Sequence, residues 1–105
     1  MISPSYMQED NYTKLNDSEI NILYDTLPNW EVIDKKFLSK IITLNSFTEA
    51  ADFIKKIATI ADKMNHHPDI EIFNYKNVKI KLYDHKLDGL TKQDINLANK
   101  IDQLK

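Results

Sequence analysis

Apolar and polar positions alternate along this chain with two different periods, and the switches between them divide it into elements. From Asn16, the segment "NDSEINILYDTLPNW" places Ile20, Leu23, Tyr24 and Leu27 at i, i+3, i+4 and i+7, one helical stripe. Asn16 or Asp17 can cap that helix, and Pro28 stops it because proline has no backbone N–H to continue the ladder. "WEVIDKKFLSKIITL" then alternates in steps of two and is rich in β-branched residues. It predicts strands over 30–34 and 36–44, joined at Asp34-Lys35-Lys36.

The helical period returns in "SFTEAADFIKKIATIADKM", which opens with the capping-box pair Ser46 and Glu49. Phe47, Ala50, Ala51, Ile54, Ile57, Ala58 and Ala61 fall on one face of it. This helix ends near Asn65, because Pro68 holds the residue before it in extended backbone. "DIEIF" and "VKIKLYDH" alternate again and join through "NYKN" as a second hairpin. Val78, Ile80 and Leu82 then share the apolar face, with Lys79 and Lys81 opposite. Carried on strictly, the alternation puts His85 with the lysines, away from the helices, unless the strand bulges or the pocket opens over that face or edge. "KLDGL" holds the one glycine, Gly89, where a positive φ is expected. Thr91 caps a last helix bearing Ile95, Leu97, Ala98, Ile101 and Leu104, with Asp94 in its first turn.

The order α-ββ-α-ββ-α predicts an α+β fold, a four-stranded antiparallel sheet with three helices packed on one face. Residues 1–15 are polar and aperiodic and read as a flexible leader, leaving 16–105 as a single domain. Fourteen basic against sixteen acidic side chains give a net charge of −2, and no Lys/Arg block marks a surface for nucleic acid. The lack of cysteine removes disulfides, thiolate nucleophiles and Cys-ligated zinc, and fits a reducing, cytoplasmic setting. "MISPSYMQED" is no signal peptide, and no apolar run approaches membrane-spanning length.

All three histidines, His66, His67 and His85, fall within "KMNHHPDIEIFNYKNVKIKLYDH". Adjacent side chains diverge in extended backbone, so His66 and His67 would rarely share one metal ion, and the spacing matches no zinc motif. Read blandly, "HHP" is a polar loop after a helix. Against that, the histidines lie at element ends, with Asp62 and Asp94 at neighbouring helix termini, as an acid/base cluster would be placed.

The spacing goes further. Asp62, three residues, His66-His67-Pro68, six residues, Tyr75, nine residues, His85, eight residues and Asp94 resembles the signature of the pterin-4a-carbinolamine dehydratases. "LPNW" and "GLTKQDINLA" extend the likeness to about residues 15–104. The resemblance implies a hydro-lyase that converts 4a-hydroxytetrahydropterin to quinonoid dihydropterin and water, recycling the pterin of aromatic amino acid hydroxylases. It implies no metal and no cofactor, and a homodimer or homotetramer. It assigns acid/base work to His66 and His85, with His67 mainly positioning the pterin though able to share the proton work, so that all three histidines count as catalytic. Asp62 and Asp94 would orient imidazoles, Pro68 would fix the projection of the pair, and Asn65 and Asp84 would complete the substrate-binding set. Tyr75 and Trp30 match family aromatics but read more simply as packing residues. Asp62 stands where glutamate is commonest, Ile70 replaces an aromatic, and Lys40 replaces a frequent arginine. Some relatives serve as dimerisation or assembly modules, which makes a non-catalytic binding role the alternative; the complete histidine set favours catalysis.

Overall fold

The computed structural model describes residues 13–104. Helix α1 (Asp17–Thr26) leads into strands β1 (Glu31–Ile33) and β2 (Phe37–Thr43). Helix α2 (Phe47–Met64) then connects to β3 (Asp69–Phe73) and β4 (Asn77–Leu82), and α3 (Lys92–Asp102) closes the chain. The predicted order and the antiparallel sheet are both present. Residues 1–12 of the expected leader lie outside the described residues. Leu15, at its end, is buried, and its N–H donates to the Leu90 carbonyl at 2.8 Å.

The strands lie in the order β1-β2-β4-β3, so the second strand of each hairpin meets the other in the sheet centre. Leu38 faces Leu82, Lys40 faces Ile80 and Ile42 faces Val78 across that central seam. Directly paired residues share a sheet face. Leu38, Val78, Ile80 and Leu82, each with no exposed surface, therefore form one apolar floor. Ile20 and Leu23 from α1, Ala50, Phe53 and Ile57 from α2, and Leu97, Ala98 and Ile101 from α3 pack over it. The opposite face, with Glu31, Ile41, Thr43, Glu71 and Lys79, is exposed.

Local chemistry explains where the elements begin. Asn16 and Glu19 exchange backbone-to-side-chain hydrogen bonds at 2.9 Å, a reciprocal capping box on α1. On α2 the Glu49 N–H donates to Ser46 Oγ at 3.1 Å. Both hairpin turns put two residues at positive φ, Asp34 and Lys35 in the first, Asn74 and Tyr75 in the second. Three residues lie between the last paired positions of each hairpin, Ile33 with Phe37 and Phe73 with Asn77, and the left-handed pair makes the reversal.

Four expectations are corrected. Tyr24 is exposed, so the α1 stripe is carried by Ile20, Leu23 and Leu27. On α2 the buried line runs through Ala50, Phe53, Ile57 and Ala61, and Phe47 is exposed, because the stripe is centred to one side of the predicted one. Gly89 does not have positive φ; Asp88, at 54°, takes the left-handed position in that turn. Gly89 instead lets Lys14 pass closely, since a Cβ there would meet the Lys14 Cε at 3.0 Å. Tyr75, expected to pack, is exposed at the far end of β4 from His85, beside the Lys76 ammonium at 5.7 Å.

Trp30 is a core residue. Its Nε1–H donates to both oxygens of Asp102, at 3.0 and 3.1 Å. Lys40, on the helix side of β2, reaches the same carboxylate at 2.7 Å and so ties the end of α3 to the sheet. Among the described residues no helix is long and apolar enough to cross a membrane.

Candidate active site

The C-terminus of α2 sets the first half of the site. Asn65 adopts the left-handed conformation, φ 52° and ψ 41°, and reverses the chain while the His66 N–H donates back to the Ala61 carbonyl at 3.1 Å. Asparagine tolerates this conformation better than most side chains. Pro68 follows and commits the chain to β3. The turn thus delivers His66 inward, where it is buried, and leaves His67 exposed.

The second half is the loop after β4. Asp84 Oδ1 accepts the N–H groups of Lys86 at 2.9 Å and Leu87 at 2.8 Å, a side-chain-closed turn. The Asp84 N–H donates to the Gly89 carbonyl at 2.8 Å, shutting the loop's base. Lys36 joins it to the first hairpin through Asp88, Nζ to Oδ2 at 2.8 Å. His85 rides on this loop. Between the two halves lies an open cleft of about 490 Å³ lined by Asn65, His66, His67, Asp84, His85, Lys86 and Leu87. The two segments meet although His67 and His85 lie 18 positions apart in the chain.

Each imidazole is paired through Nε2 with a different carboxylate. His66 meets the fully buried Asp94 at 2.5 Å, His67 meets Asp62 at 3.0 Å, and His85 meets Asp69 at 3.3 Å. A carboxylate at Nε2 selects the tautomer that carries its proton there and leaves Nδ1 as the second, free position. Among the described residues no three His, Asp or Glu side chains are grouped as a metal ion would require.

Asp94 is held from two sides. Its Oδ1 takes His66 and its Oδ2 accepts the Thr91 N–H at 3.0 Å, so one carboxylate caps α3 and anchors the imidazole. The Asp94 hydrogen bond raises the His66 pKa above the ordinary histidine value. Burial opposes that shift, and the Asp94 and Asp84 charges add to it. A carboxylate at this depth is costly unless satisfied, and no buried side-chain N or O among the described residues lacks a partner.

Of the residues singled out from the sequence, His66, His67, His85, Asn65 and Asp84 line the cleft. Asp62 and Asp94 reach it through the histidines they bind, and Pro68 shapes the turn. Tyr75 and Trp30 are not on it. The alternation rule places His85 correctly: it stays with the open-face residue Asp69, and the cleft opens around the sheet's end. Asp69 escaped the sequence reading. Its position directly after Pro68, and the register that puts it on the same face as His85, were the available signals.

The chain is similar to known proteins over most of its length. The family model for pterin 4 alpha carbinolamine dehydratase matches residues 13–104. A protein from Rubrobacter xylanophilus, provisionally named a pterin-4-alpha-carbinolamine dehydratase, is 39% identical over 90 residues, covering 86% of this chain and 83% of that one. One from Sulfurisphaera tokodaii with the same provisional name is 40% identical over 95 residues, covering 87% and 96%. The crystal structure of a transcriptional coactivator/pterin dehydratase from Brucella melitensis superposes with a TM-score of 0.80 at 28% identity, covering 88% of this chain and 98% of that one. With the signature spacing, the fold and the match all spanning the described chain, the protein belongs to the pterin 4 alpha carbinolamine dehydratase family, a family of hydro-lyases.

Proposed function

We propose that this protein dehydrates 4a-hydroxytetrahydropterin to quinonoid dihydropterin, with its histidines as the proton-transfer groups. The observation that carries the reading is the convergence of three carboxylate-paired imidazoles on one cleft. Its volume lies within the roughly 300–1,000 Å³ range of small-molecule sites.

The reaction needs two proton movements and no change of oxidation state. The lone pair of a ring nitrogen forms a C=N bond at C4a while the C4a–O pair leaves with the oxygen. One proton must arrive on that oxygen to make water, and one must depart from the ring system. Imidazole, with an ordinary pKa of about 6.5, serves either task at neutral pH. His66, whose pKa Asp94 raises above the ordinary histidine value, acts as the acid. His85, across the cleft, accepts the ring proton. His67, held by Asp62, orients the flat substrate with Asn65 and Asp84. The product is the dihydropterin that a hydroxylase cycle returns to use. The protein works as a homodimer or homotetramer, for which Ile41, 55% exposed, and Phe73 on the open sheet face offer apolar surface.

The test is stopped-flow dehydration of freshly generated 4a-carbinolamine by wild type, His66→Ala and His85→Ala. Each substitution should lower kcat roughly 10²–10⁴-fold, the usual contribution of a positioned acid or base. A wild-type protein that adds nothing to the spontaneous rate overturns the reading and leaves a binding or assembly module as the function of the fold.

A further inference from the structure

We infer that Asp69 and Tyr83 are the positioning residues of His85, holding its imidazole in one orientation at the mouth of the cleft. The inference deepens the dehydratase reading and rests on it for its kinetic consequence. His85 needs such help more than His66 does. It lies on a loop with its side chain 53% exposed, whereas the His66 side chain is 8% exposed and held by a buried carboxylate. A half-exposed side chain on a loop samples several rotamers unless neighbours fix it.

Two contacts do so from different directions. Asp69 Oδ1 lies 3.3 Å from Nε2. The Tyr83 ring lies against the imidazole, centroids 4.2 Å apart at an interplanar angle of 42°. Tyr83 is itself buttressed by Phe37, edge to face at 4.8 Å. The Lys81 ammonium sits 3.9 Å from the Phe37 centroid and 5.2 Å from that of Tyr83. Lys81 is also the direct cross-strand partner of Asp69, and a salt bridge between them would draw the carboxylate away from His85. Its ammonium rests on the aromatic rings instead, which leaves Asp69 to the imidazole. A row from Phe37 through Tyr83 to His85 thus runs along the open side of the sheet, rooted in central strand β2.

Asp69→Ala and Tyr83→Leu remove one contact each, and Asp69→Asn and Tyr83→Phe keep an acceptor and a ring. Proton NMR of the His85 ring is the direct readout. The Tyr83 ring should shift its signals away from random-coil positions in wild type and Tyr83→Phe, and the shift should vanish in Tyr83→Leu and shrink in Asp69→Ala. In the dehydration assay, Asp69→Ala and Tyr83→Leu should lower kcat on the order of tenfold with little change in KM, as expected for a misplaced proton-transfer group. Asp69→Asn and Tyr83→Phe should recover most of it. Random-coil His85 shifts in wild type, or wild-type kcat in both truncations while His85→Ala is impaired, overturn the inference. A wild-type protein without dehydratase activity overturns the functional reading instead, and the ring shifts then judge the positioning by themselves.

Discussion

The Asp94 carboxylate ties a helix start to an imidazole, so its replacement touches chemistry and stability together. Because Asp94 raises the His66 pKa, the acid form of His66 persists to higher pH than for an ordinary histidine. Activity that requires this acid falls as pH rises through that raised value. Asp94→Asn lowers it, and the alkaline limb of the kcat/KM profile should move to lower pH. The linkage sign is the same for folding: the pair's contribution is complete below about 6.5, the unfolded value, and is lost as pH rises through the folded one. Urea unfolding of wild type at a series of pH values should show that decline, and Asp94→Asn should flatten it. At this scale the histidines, Asp62 and Asp94 were legible from spacing within the chain. Asp69 was passed over although its hairpin register was available, because its meeting with His85 depends on how the loop after β4 turns back toward β3.

The loop after β4 behaves as an element in its own right, closed by Asp84 rather than by repeating backbone bonds. Asp84 Oδ1 holds two amides and needs no charge to do so. Asp84→Asn keeps an acceptor oxygen and should retain most of kcat/KM, whereas Asp84→Ala frees both amides and should lower it about tenfold by misplacing His85. Comparison of the two by steady-state kinetics separates turn-making from a role for the charge. The hairpins and helices were readable from period and caps, down to the Asn16 cap of α1. The turn at residues 84–89 was misread through its glycine, because the side-chain bonds of Asp84 move the left-handed residue to Asp88.

Across the whole molecule, both halves of the site hang from one core, and Ile57 is a sensitive point in it. It is fully buried on α2, the helix that ends at Met64, two residues before His66. Ile57→Ala should cost about 2–5 kcal/mol and lower Tm in a thermal melt. The class of fold followed from the alternating pattern. The order β1-β2-β4-β3 did not, since hairpin periodicity fixes partners within each hairpin and says nothing of which strands meet between them. That central seam between β2 and β4 brings Tyr83 beside Phe37 and the loop of His85 within reach of α2.

Among the described residues, six other than glycine, Asp34, Lys35, Asn65, Asn74, Tyr75 and Asp88, stand at positive φ, in a chain with a single glycine. Lys35 and Tyr75 carry a backbone cost of about 1 kcal/mol there that glycine would not, whereas the Asn and Asp residues tolerate the conformation better. Lys35 and Tyr75 lie at exposed hairpin tips outside the cleft, so Lys35→Gly and Tyr75→Gly should each raise Tm at unchanged kcat, despite the greater freedom glycine gives the unfolded chain. The molecule therefore carries an unused margin of thermal robustness, open to an engineer or to selection in a hotter habitat, without altering a single group that handles a proton.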